Sequence, residues 1–110
     1  MIKLATVQGS IPETCLYVDD ARDLAISVTR GNVSGSYAAV TPDSATIKVD
    51  TTDGTEVLAE VAAGVSGSQV YYPINTDNIT DTARRLNVTW KVVYGDEIAH
   101  LLHYLTIQEV

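Results

Sequence analysis

Phenylalanine is absent from this chain, and cysteine, methionine and tryptophan occur once each. The lone Cys15 allows no intrachain disulfide, so the fold has to stand on packing, as suits a reducing compartment. Cations are scarce. Seven Lys and Arg stand against fourteen Asp and Glu, for a formal net charge of −7. Such a surface repels a phosphate backbone, and Arg84-Arg85 is the only adjacent basic pair, so no nucleic-acid binding is expected. No apolar run approaches membrane-spanning length. Polar Gln8-Gly9-Ser10 follows Met1-Ile2-Lys3-Leu4-Ala5, so no secretory apolar region forms. The expectation is a soluble protein made and folded in a cytoplasm. Gly-rich phosphate loops, nucleophile elbows and zinc-ligand spacings are missing, so no catalysis is expected and no catalytic residue is assigned.

What is present is alternation. From Leu86 to Tyr94, Leu86, Val88, Trp90, Val92 and Tyr94 share one side of a strand, and Asn87, Thr89 and Lys91 the other. Gly95-Asp96-Glu97 then turns the chain into Ile98. A hairpin with one dry face belongs to a sandwich or a barrel. The 110 residues suit one domain, which buries roughly two-thirds of its unfolded surface.

The same period recurs upstream. Residues 1–14 read as an extended N-terminal arm broken at Gly9-Ser10-Ile11-Pro12, and 15–110 as the domain. Thr14–Val18 is a short strand, followed by a turn at Asp19–Asp23. Leu24–Thr29 alternates as a core strand. A loop at Gly31–Ser36 leads to extended Tyr37–Val40. Ala45, Ile47 and Val49 alternate with Thr46, Lys48 and Asp50. Asp53-Gly54 predicts a type I′ hairpin into Val57, Ala59 and Val61. Gln69–Ile74 is a strand kept short or at an edge by Pro73. Residues 75–83 predict one helical turn capped by Thr76 or Asp77. Residues 98–107 fit a helical stripe as well as a strand. Following a strongly alternating strand, they are assigned as a strand buried on both faces. The result is an all-β, immunoglobulin-like antiparallel sandwich of about seven to nine short strands.

Several residues invite a site. His100 and His103 lie three apart, so in a strand they point to opposite faces and cannot chelate one ion. Asp50–Glu56 lacks the ligand spacing of a calcium loop, and its Asp53-Gly54 is explained by a hairpin. Asp19, Asp20 and Asp23 read as a solvated turn. No metal and no cofactor is expected. Cys15 reads as a small strand residue near the core, with no base beside it. Asn32-Val33-Ser34, Asn78-Ile79-Thr80 and Asn87-Val88-Thr89 match the glycosylation sequon but lack a secretory context.

The run Ala21–Gly31, then Ser44–Val49 with Asp53-Gly54-Thr55, then Val70-Tyr71-Tyr72-Pro73-Ile74 and the closing Trp90 hairpin form a layout. It resembles small immunoglobulin-like structural proteins of tailed bacteriophages, including baseplate-type domains, over residues 20–108. The resemblance implies a non-enzymatic virion protein, folded in the host cytoplasm. Its partners would be other capsid, neck or tail proteins, and it would form a homo-oligomer on the particle. A head decoration or head–tail junction role comes first, with tail or baseplate next. A different class, a carbohydrate- or surface-binding module of an adhesin or secreted enzyme, would need exposed aromatics clustered on one loop end or sheet face. Tyr71, Tyr72 and Tyr94 are its candidates, although alternation turns Tyr72 and Tyr94 toward the core.

Overall fold

The computed structural model describes residues 3–6, 11–31 and 37–109, with backbone alone at 3–6. These residues form nine strands: β1 (Lys3–Thr6), β2 (Glu13–Tyr17), β3 (Arg22–Gly31), β4 (Tyr37–Ala39), β5 (Ser44–Thr51), β6 (Glu56–Ser66), β7 (Gln69–Ile74), β8 (Arg84–Tyr94) and β9 (Glu97–Gln108). Hydrogen bonding joins them in one path, β1-β3-β7-β6-β5-β8-β9-β2, with β4 beside β3.

The path folds into two layers because β6 belongs to both. Its first part pairs β5, from Glu56 to Ala63, and its last part, Gly64–Ser66, pairs β7. One layer is β1-β3-β7 with the end of β6. The other is β5-β8-β9-β2 with the start of β6. Inward residues of both layers make one core: Leu24, Ile26 and Val28 of β3 and Val70 and Ile74 of β7 meet Ile47, Val49, Val88, Trp90, Leu105 and Ile107. Two packed sheets, with β4 staying beside β3, β5 crossing to the opposite layer and β8 returning between β5 and β9, are the immunoglobulin-like arrangement. The chain is an all-β, immunoglobulin-like sandwich.

Leu86, Val88, Trp90 and Val92 are buried as their alternation predicts, and Tyr94 packs on the core's margin. Pro73 also sits as its chemistry requires. β6 accompanies β7 only as far as Tyr71, so Pro73 interrupts no ladder on that side.

Five expectations are corrected. The arm boundary at residue 14 falls inside β2, and Lys3–Thr6 pairs with β3 of its own chain, while residues 7–10 lie outside the described residues. The sandwich is not wholly antiparallel, since β2 runs parallel to β9. Strand β9 is buried on one face only: Leu101, His103, Leu105 and Ile107 face in, and His100, Tyr104 and Gln108 face out. The Asp53-Gly54 hairpin is not type I′. Of its residues only Gly54 has positive φ, at 94°, and Gly54 N–H donates to the Thr51 carbonyl while Thr51 N–H donates to Thr55. That is a three-residue loop ending in a left-handed bulge residue, which glycine alone adopts without strain. The turn after β7 is capped by Asn75, whose Oδ1 accepts the Asp77 N–H and whose carbonyl accepts the Ile79 N–H. It carries Ile79 and Thr80 into full burial.

One close approach fixes the crossing of β6. A Cβ at Gly64 would stand 2.3 Å from the Tyr71 ring, so the ring lies flat against bare backbone there. At the far end of the sandwich, Arg30 of β3 reaches across the layers to Glu97 of β9 at 2.6 Å, its guanidinium 5.5 Å from the Tyr94 ring centre.

Candidate functional site

The strongest polar arrangement is buried. His103 and Trp90 are both fully excluded from solvent. They occupy the inner face of β9 and β8, diagonal across the ladder in which Trp90 pairs with Leu101 and Val88 with His103. Trp90 Nε1–H donates to His103 Nδ1 at 3.3 Å, which makes Nδ1 the acceptor. His103 Nε2 must then carry the proton and donate to Thr14 Oγ1 of β2 at 2.7 Å. Burial holds the imidazole pKa down to about 4, so the ring is neutral near pH 7. A neutral imidazole with both nitrogens answered rivets three strands, β2, β8 and β9, together.

His100 stands on the opposite face of β9, exposed, as the period of two requires. The two histidines are therefore kept apart. No group of three His, Cys, Asp or Glu side chains among the described residues is placed to hold a metal ion. The acidic turns are occupied locally. Asp53 Oδ1 accepts from the Thr51 hydroxyl and from Thr55 N–H, and the Thr51 bond leads in lowering its pKa. Asp20 Oδ2 accepts the Tyr17 N–H.

The sequons resolve separately. Asn78 spends its side chain on the turn, accepting from Asn75 N–H and donating to the Pro73 carbonyl. Thr80 is buried, with its hydroxyl on the Asp20 carbonyl. Asn87 lies mid-strand in β8, and Asn32 is outside the described residues.

Cys15 corrects its expectation. Leu16 takes the core phase of β2, so Cys15 turns outward and is exposed. There it borders a concavity of about 650 Å³ on the outside of β2, β9 and β8, with Glu13, Arg85, Asn87, Tyr104 and Gln108 among its lining. The aromatics behave similarly. Tyr72 and Tyr94 pack on the core as expected, and Tyr71 lies against Gly64. The exposed ones are Tyr17 (50 %) and Tyr104 (39 %), both outward on this same sheet face. Neither is among the candidate aromatics Tyr71, Tyr72 and Tyr94. Their signal was phase: each is flanked by a residue that owns the core side, Leu16 beside Tyr17, His103 and Leu105 beside Tyr104.

No family model and no curated protein matches the sequence. Among solved structures, titin domain M7 is similar to this chain with a TM-score of 0.49 and 14 % identity, over 96 % of this chain and 93 % of that one. A chimeric titin Z1Z2 functionalized with a KLER exogenous peptide from decorin also gives 0.49 and 14 %, over 97 % and 96 %.

Proposed function

We propose that this chain is a non-enzymatic structural protein of a tailed-bacteriophage virion. It is made in the host cytoplasm and joined to the particle by contacts with other coat proteins. A head decoration or head–tail junction position is favoured, with a tail or baseplate position next. The observation that supports this reading most is the open side of β6. Ala59, Glu60, Val61 and Ala62 are exposed in succession, in the part of β6 that pairs β5 alone, so this stretch has an open side. A free strand edge offers backbone donors and acceptors to a neighbouring chain. Glu60, bonded to the Thr46 hydroxyl, and the register shifts between Ile47 and Asp50 discourage indiscriminate pairing there. A net charge of −7 suits the outside of a DNA-filled shell better than its lumen.

Quantitative mass spectrometry of purified particles from the source tests the proposal. Near-parity with the shell protein marks a decoration protein, and a single-ring copy number marks a neck or tail component. Absence from particles overturns the virion reading.

A further inference from the structure

The outer face of β8, β9 and β2 gathers polar side chains that nothing among the described residues answers. Strand register decides which ones meet. Asn87 pairs across to Tyr104, which pairs to Glu13. Arg85 pairs to Thr106, which pairs to Cys15. With Gln108, and with Thr52 from the β5–β6 hairpin, they border the 650 Å³ concavity. The side chains of Glu13, Arg85, Asn87, Tyr104 and Gln108 make no hydrogen bond or ion pair among the described residues. Tyr17 extends the same face, four residues beyond Glu13, or roughly 13 Å along β2 at the usual strand rise.

The unused groups have a definite chemistry. Arg85 and the amides of Asn87 and Gln108 donate, while the Glu13 carboxylate and the amide oxygens accept. Tyr104 adds a flat apolar ring with a polar tip. Donors and acceptors set around one exposed ring match a ligand that is apolar on its flat face and crowded with hydroxyls at its edge. Charge narrows the choice. Glu13 and Arg85 cancel, so the groove is neutral on a chain that is otherwise strongly acidic. An anionic ligand meets the field of the whole protein, and a cationic one finds no surplus carboxylate. A peptide would need pockets for alternate side chains. The apolar residues bordering the groove, Leu86 and Leu105, are instead committed to the core.

We infer that this groove binds a neutral oligosaccharide. Tyr104 is the stacking platform, and Arg85, Asn87, Gln108 and Glu13 are its hydrogen-bonding rim. The inference goes beyond the virion reading and does not depend on it, since every group it uses is supplied by one chain.

The test is a set of titrations followed by amide NMR of the intact protein. The probes are maltohexaose, cellohexaose and chitohexaose, with polygalacturonate and an unstructured polar peptide as comparators. At least one neutral oligosaccharide is expected to give saturating shifts at residues 13–15, 85–87 and 104–108. Tyr104→Ala should weaken it roughly tenfold or more, and Asn87→Ala should weaken it less, both with spectra otherwise preserved. No saturable shift in the groove with any neutral oligosaccharide overturns the inference. So does binding that Tyr104→Ala leaves unchanged, or saturation by polygalacturonate or the peptide alone.

Discussion

The two faces of the β8–β9–β2 sheet are made by the same three strands and share almost nothing else. On the inner face Trp90, His103 and Thr14 form a chain in which every nitrogen has its partner. On the outer face Arg85, Asn87 and Tyr104, one residue out of phase, have none among the described residues. Burial explains the difference. A polar group cut off from water costs free energy unless it is paired, whereas an exposed one is answered by solvent. The inner face therefore specifies the fold, and the outer face is free to vary with whatever the protein binds.

Mutation should expose this asymmetry, most of all at Trp90. Trp90→Ala should cost about 3–5 kcal/mol, because it opens a cavity and strips His103 of a donor. Urea unfolding followed by circular dichroism reads this, and a loss below about 1 kcal/mol would contradict the buried chain.

Acid probes the same centre. The folded pKa of His103, about 4, lies below the ordinary 6.5. Between those values the unfolded chain binds the proton and the folded one does not. Stability from this group is complete above about pH 6.5 and is lost as pH falls toward 4, by about 3 kcal/mol in all. Comparing the pH dependence of wild type with His103→Gln isolates the effect, and parallel curves in that window would remove it.

Thr14→Val leaves the His103 Nε2–H buried without an acceptor and should cost about 1–2 kcal/mol. A neutral result would mean that β2 is held by its ladder and Leu16 alone. The outer face supplies the smallest effect. Tyr104→Ala should shift stability by roughly 0.5 kcal/mol or less. A cost as large as that of Thr14→Val would show that the outer ring supports the fold.

Most of the fold was legible because burial on one face writes period two into the sequence, as at Leu86–Val92. The chain from 98 to 107 was ambiguous for a physical reason. Leu102 is half-buried on the outer face, between Leu101 and His103, and that extra apolar residue mimics a helical stripe. Reading both faces as buried then hid Tyr104. The opposite-face placement of His100 and His103 followed from strand geometry and held. The partners of His103 were not legible. Thr14 lies eighty-nine positions away, and a parallel pairing between the chain's two ends leaves no local trace. The hairpin at Asp53-Gly54 was located correctly but given the wrong turn, because the dipeptide suits more than one loop length.

Strand β6 makes the sandwich resemble a book. It is the spine along which two covers join, and the covers' outer margins are β1 and β2, consecutive in the chain. The covers share one continuous strand at the spine, and its ladder to β7 spans only three residues. The margins are the other short joints, where β1 pairs over four residues and β2 over five. Whatever clasps those first strands from outside, a neighbour on a particle or a ligand seated beside β2, slows the opening of the whole molecule.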